Sequence, residues 1–135
     1  FTFPTDQPRE QDLVAVMMPF TGFDDVYKTI KAAVEDAGLR CLRADDIWEQ
    51  EHIMDDVITY LAGTVIVSDF TGRNPNVFYE TGIAHSLGRP VVPITQTMHD
   101  VPFDLQGIRA QHYFPNAEGL AAMRAKLAAK LVSFR

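Results

Sequence analysis

Between Val65 and Ile94 the chain switches from a continuous apolar run (Val65-Ile66-Val67) through a polar loop (Thr71-Gly72-Arg73-Asn74) to helical spacing, then returns to an apolar run from Pro90 to Ile94. This order reads as strand, loop, helix, strand. Asn74-Pro75 is a strong helix start, because the Asn side chain can accept from an orphan backbone N–H and Pro fits the first helical position. Gly88 supplies the stop. For a helix from Pro75 to Leu87, about 100° of turn per residue puts Val77, Ile83, Ala84 and Leu87 on one side, with Glu80 in their midst. Its neighbours one turn away are Asn76, Val77, Ile83 and Ala84, so the helix itself supplies no cation to it. A carboxylate on a core-facing stripe is costly, which marks Glu80 as a functional candidate.

The same alternation runs through the rest of the chain. Residues 1–12 read as an irregular lead-in, and 13–135 as a single α/β domain. Leu13 to Met18 is an apolar run of the kind found in strands buried on both faces. Asp24 to Ala37 carries a helical stripe of Val26, Ile30, Ala33, Val34 and Ala37, with Asp24 and Asp25 at its positive end and Gly38 after it. Leu39 to Arg43 is a second strand, Ile53 to Leu61 a second helix, Thr64 to Asp69 a third strand and Pro90 to Ile94 a fourth. Gln111 to Phe114 reads as a weak edge strand and Ala117 to Val132 as a terminal amphipathic helix. Parallel neighbours need helical crossovers, so this pattern predicts a doubly wound, flavodoxin-like sheet of five parallel strands in the order 2-1-3-4-5.

Composition narrows the function. A net charge of −6 on 135 residues argues against a general nucleic-acid surface, which needs a basic stripe. The single Cys41 rules out an internal disulfide and suits a reducing cytoplasm, the expected location. No apolar run reaches the length of a membrane span, and the N-terminus lacks a signal-peptide pattern. A start at Phe1 rather than Met is what a trimmed product or an excised domain would show. His52, His99 and His112 are scattered and no metal-binding spacing occurs, so neither metal nor cofactor is expected.

In a sheet of this order, ligands bind outside the carboxyl ends of the strands near the switch between strands one and three. The segments there are Met17 to Phe23, Asp45 to Trp48, Asp69 to Asn76 and Thr95 to Phe103. Asp69 ends the third strand and Glu80 follows on the next helix, so the two carboxylates are expected in one cleft, where they could hold different protonation states. Such a pair suits glycosidic chemistry, one carboxylate meeting the anomeric carbon while an acid helps the leaving group depart. The competing reading makes Asp69 a loop acceptor that pins the Thr71-Gly72-Arg73-Asn74 turn. Candidate substrate contacts are Met18, Pro19, Phe20, Asp45, Asp46, Trp48, Arg73, Asn74 and Asn76. Phe20 and Trp48 could stack on a base, although aromatics at strand ends more often plug the core. Arg43 and Arg73 could hold a phosphate, or form ion pairs instead. His85 lies opposite Glu80 on the helix and is left out of the site.

Val14-Ala15-Val16-Met17-Met18-Pro19-Phe20, Ala44-Asp45-Asp46-Ile47, and the stretch from Asp69 through Glu80-Thr81-Gly82-Ile83-Ala84 to Gly88-Arg89-Pro90 together resemble the nucleoside 2-deoxyribosyltransferase-like superfamily, whose fold is related to TIR domains. Thr81 and Ile83 depart from the residues usual in it. The resemblance implies a nucleophilic Glu80 assisted by Asp69, a base contact near Phe20, and a homo-oligomer whose subunits complete each other's sites. Three functions follow as expectations: N-glycosidic cleavage of a nucleoside or nucleotide by hydrolysis or transfer, TIR-like cleavage of NAD+, and nucleotide sensing without turnover.

Overall fold

A computed structural model of the protein describes residues 12–19, 22–43, 65–86, 88–101 and 110–134. In chain order these form β1 (Leu13–Met17), α1 (Asp24–Asp36), β2 (Arg40–Arg43), β3 (Val65–Asp69), a short 3-10 turn (Thr71–Arg73), α2 (Pro75–Ser86), β4 (Val91–Thr95), a second 3-10 turn (Met98–Asp100), β5 (Gln111–His112) and α3 (Ala117–Val132). Boundaries read from sequence are met to within a residue or two. The helix expected over Ile53 to Leu61 lies outside the described residues.

All strand pairs are parallel, and the order is β2-β1-β3-β4-β5. The flavodoxin-like topology anticipated from sequence is the one present. It arises because β1 is apolar throughout and β3 is apolar up to Ser68 and Asp69 at its carboxyl end, and both strands lie inside the sheet with every residue buried. Alternation along the strands then sorts the core into two layers. Val14, Val16, Val65, Val67, Val92 and Ile94 pack with α1 and α3 on one face, while Ala15, Met17 and Ile66 pack with Val77, Ile83 and Ala84 of α2 on the other.

The expected edge strand is shorter than its sequence suggests. Ile66 and Phe70 donate to the carbonyls of Pro90 and Ile94, so those even-numbered residues of the β4 segment face β3 and the odd-numbered ones face the other edge. Pro93, which has no N–H to give, therefore faces the β5 side. There β5 begins only alongside Ile94 and ends at His112.

Helix ends follow their sequence signals. Gly38, at φ 79°, closes α1 through bonds from its own N–H to Glu35 and from Leu39 to Val34, the paired pattern of a left-handed glycine stop. Asn116 caps α3 by accepting from Gly119 N at 2.7 Å. At Gly119 the constraint is one of space, since an added Cβ would run into the backbone carbonyl oxygen of Phe114. Gly119→Ala should thus lower stability by about 1–3 kcal/mol through overpacking, despite the gain of roughly 1 kcal/mol that Ala brings to an unconstrained helix. Thermal or denaturant unfolding of the variant measures the balance, and a stabilised variant would show that the Phe114 backbone yields.

Candidate functional site

The carboxyl ends of β3 and β4 carry a connected set of polar side chains. Asp69, the last residue of β3, is fully buried, and a buried carboxylate needs donors. Its Oδ1 accepts from the Thr71 backbone N–H at 3.0 Å and from Thr71 Oγ1 at 2.6 Å, and its Oδ2 accepts from the Tyr113 hydroxyl. Gln96 Nε2 donates to that hydroxyl at 3.1 Å, and Gln96 N donates to Thr71 Oγ1 at 2.9 Å. One carboxylate thereby joins the loop after β3, the loop after β4 and the residue following β5. Burial raises the Asp69 carboxyl above the usual aspartate range, the donors from Thr71 and Tyr113 oppose that rise, and the negative charge of Asp100 adds to it. Burial and then the Asp69 charge push the Tyr113 phenol well above its ordinary value.

The loop after β3 is also held from the second 3-10 turn. Gly72 N donates to Asp100 Oδ2 at 2.8 Å, Arg73 Nε lies 3.5 Å from Asp100 Oδ1, and Arg73 Nη2 donates to the His99 carbonyl at 2.6 Å. Gly72 and Arg73 both have positive φ, 79° and 54°, a conformation costly for an L side chain such as that of Arg73. Asn74 then returns to extended backbone and accepts from Val77 N at 3.4 Å, the capping role read from sequence.

Glu80 lies on the inward side of α2 and is 3% exposed. It has a hydrogen-bonding or electrostatic partner despite the apolar residues one turn away, so its burial is not that of a lone charge. The next residue, Thr81, is fully buried with its hydroxyl 2.8 Å from that of Ser68 on β3. Because Ser68 faces α2, Asp69 one residue on faces the opposite side, where Tyr113 belongs to the core of α1 and α3. The expectation that Asp69 and Glu80 share one cleft is corrected accordingly. Asp69 leaves β3 towards the α1–α3 side, whereas Glu80 belongs to α2, which covers the other face, and Asp69 takes the role of loop anchor because both its oxygens are engaged by Thr71 and Tyr113.

The expected substrate contacts divide into several groups. Met18 is 3% exposed and packs into the α1–α3 core, so it is a core residue rather than a contact. Pro19 is half-buried, and its carbonyl accepts from Arg43 Nη2 at 3.1 Å. Arg43 itself is buried, 5.0 Å from the Tyr27 ring centre and 3.8 Å from Asp24. Arg73 is held by Asp100 and His99 as described. Asn76 occupies the first turn of α2, and Phe20, Asp45, Asp46 and Trp48 lie outside the described residues. Phe78 packs against Phe70 with ring centres 5.5 Å apart, whereas its neighbour Tyr79 is 54% exposed.

Tyr113, Gln96 and Asp100 were not anticipated. Tyr113 offered a faint signal, a polar-tipped aromatic in a strand read as an edge, but nothing local connects it to a residue 44 positions earlier.

Fold and site together define a doubly wound α/β domain with its polar residues gathered at the carboxyl edge of the sheet. Compared with family models and with curated proteins, the chain finds no match. Among solved structures, the rubredoxin oxygen:oxidoreductase of the anaerobe Desulfovibrio gigas aligns with 95% of this chain at 13% identity and a TM-score of 0.53. The chain spans 38% of the length of that protein. At this identity the likeness is one of fold, and it supports the flavodoxin-like architecture.

The raised Asp69 carboxyl has a consequence for stability. Its contribution is fully present below the unfolded-chain value near 3.8 and is lost as pH rises through the higher folded-state value. The difference in unfolding free energy between wild type and Asp69→Asn should therefore move in favour of wild type as pH falls from neutral towards the carboxylate range. Denaturant titrations of both proteins across that range measure it, and movement in the other direction would mean that the donors outweigh burial.

Proposed function

We propose that the domain cleaves the N-glycosidic bond of a nucleoside or nucleotide, with Glu80 as the carboxylate that meets the anomeric carbon. The observation that carries this reading is Glu80 itself, 3% exposed on the inward side of a helix that also buries Val77, Thr81, Ile83 and Ala84. The resemblance from Asp69 to Pro90 supports it, since it is the Glu80 segment that bears the likeness. In the reaction, a Glu80 oxygen bonds to the anomeric carbon as the bond to the base nitrogen breaks. The leaving base takes a proton from solvent water, and water or a second base then attacks the anomeric carbon, breaks its bond to the Glu80 oxygen and returns a proton to solvent. Asp69 contributes by holding the two loops at the edge of the sheet rather than by exchanging a proton with substrate.

Neutral nucleosides fit this reading better than NAD+. A pyrophosphate needs available cations, whereas Arg73 is bound to Asp100 and His99, and Arg43 is buried against Tyr27, Asp24 and Pro19. Residues 44–64 hold Asp45, Asp46, Glu49, Glu51, Asp55 and Asp56 and neither Lys nor Arg. An acidic stretch of this kind in a chain of net charge −6 disfavours a phosphate-bearing ligand. Oligomerisation with sites completed between subunits and a cytoplasmic location belong to the same proposal. Exposed Tyr79 on α2 supports the first, and among the described residues no helix is long and apolar enough to cross a membrane.

Incubation with deoxynucleosides, ribonucleosides, nucleoside monophosphates and NAD+, followed by chromatography of released base, tests the reading. Wild type should release base from nucleosides. Glu80→Gln should slow release by about a thousandfold or more, some 4 kcal/mol of barrier, because an amide cannot act as the nucleophile. Release of nicotinamide would favour the NAD+ reading, and binding without release the sensing one. A Glu80→Gln protein that keeps its rate would remove Glu80 from the chemistry.

A further inference from the structure

The hydroxyl pair Ser68–Thr81 is a polar contact in a place where apolar residues would pack without it. Both residues are fully buried, their oxygens are 2.8 Å apart, and around them the layer between the sheet and α2 is built from Ala15, Met17, Ile66, Val77, Ile83 and Ala84. Taking two hydroxyls out of water offsets most of what their hydrogen bond gains, so the pair does little for net stability. Direction is what it adds. Apolar side chains tolerate small shifts of a helix along a sheet, whereas a hydroxyl pair does not. One residue of slip moves α2 by about 1.5 Å along its axis and about 100° around it, which would leave both hydroxyls buried without each other. Ser68 is a firm reference point, because β3 is paired on both sides, with Met17 opposite Ser68 on β1 and Pro93 opposite it on β4.

We propose that the Ser68–Thr81 pair is a positioning device that fixes the register of α2 on the central strand and so sets the place of Glu80, the residue before Thr81. This role rests on the reading of Glu80 as the reacting carboxylate.

The test uses Ser68→Ala, Thr81→Val, the double variant and Thr81→Ser, each in the full chain. Either truncation alone strands a buried hydroxyl and should lower the melting temperature, while the double variant, with neither hydroxyl left, should recover most of the loss. The double variant should nevertheless lose about tenfold or more in kcat for base release with KM changed by no more than about twofold, the pattern of a misplaced reacting group rather than of weakened binding. Thr81→Ser, which keeps the hydroxyl, should retain kcat. A double variant with wild-type kcat, or a kcat that follows melting temperature across the set, would overturn the proposal. Amide hydrogen exchange in α2 provides a readout that needs no turnover. Exchange should quicken by about tenfold in the double variant at near-native melting temperature, and unchanged exchange would also overturn the proposal. Faster exchange in a protein whose wild type releases no base would leave the device standing and remove the assignment of Glu80.

Discussion

A carboxylate buried at the end of the central strand organises the carboxyl edge of the sheet in this molecule. Asp69 cannot be left without donors, and those it finds come from elements that have little else in common. Thr71 is two residues away and closes the loop after β3, while Tyr113 lies beyond β5. β5 pairs with β4 through only two residues, so the Tyr113 hydroxyl is a substantial part of what ties that edge to the centre of the sheet. Gln96 completes the link by donating both to Tyr113 and to Thr71. Loops that could move separately are thereby joined to one another, and the start of α2 is held along with them.

The adjacent pair Ser68 and Asp69 shows how one strand serves two layers. Successive side chains point to opposite faces, so Ser68 meets Thr81 on α2 while Asp69 meets Tyr113 on the side of α1 and α3. The α2 layer carries Glu80 and the chemistry proposed for it. The other layer carries the anchor that shapes the edge of the sheet. Asp100 contributes on a third front by holding Gly72 and Arg73 in left-handed conformations immediately before the Asn74 cap. Arg73 is consequently part of the framework, and its charge is already answered by Asp100.

Much of the architecture was legible because it depends on local patterns. Apolar runs bounded by Pro, Gly and polar clusters marked β1 and β3, and the Asn74-Pro75 start and Gly88 stop bracketed α2. Parallel strands joined by helices admit few orders, which made 2-1-3-4-5 a natural expectation. The burial of Glu80 was legible for the same reason, since helical periodicity alone placed it among Val77, Ile83 and Ala84. Met18 was misread as a contact because the apolar run of β1 continues into the core one residue past the strand. The two carboxylates were misread as neighbours because closeness along the chain was allowed to stand for closeness in space, when strand alternation separates them.

The sequence by itself determined the periodicities, hence the elements, their order in the sheet and the residues that each face must bury. Those follow from backbone geometry and side-chain polarity within a few turns or strands. Only the tertiary structure decided which polar groups answer one another: Tyr113 with Asp69, Asp100 with Gly72 and Arg73, and Arg43 with Tyr27 and Asp24. The physical reason is that a buried charge or a strained turn fixes the need for a partner but not its address. The partner is whichever donor or acceptor the packed layers bring within about 3 Å, and that depends on the positions of elements far apart in the chain.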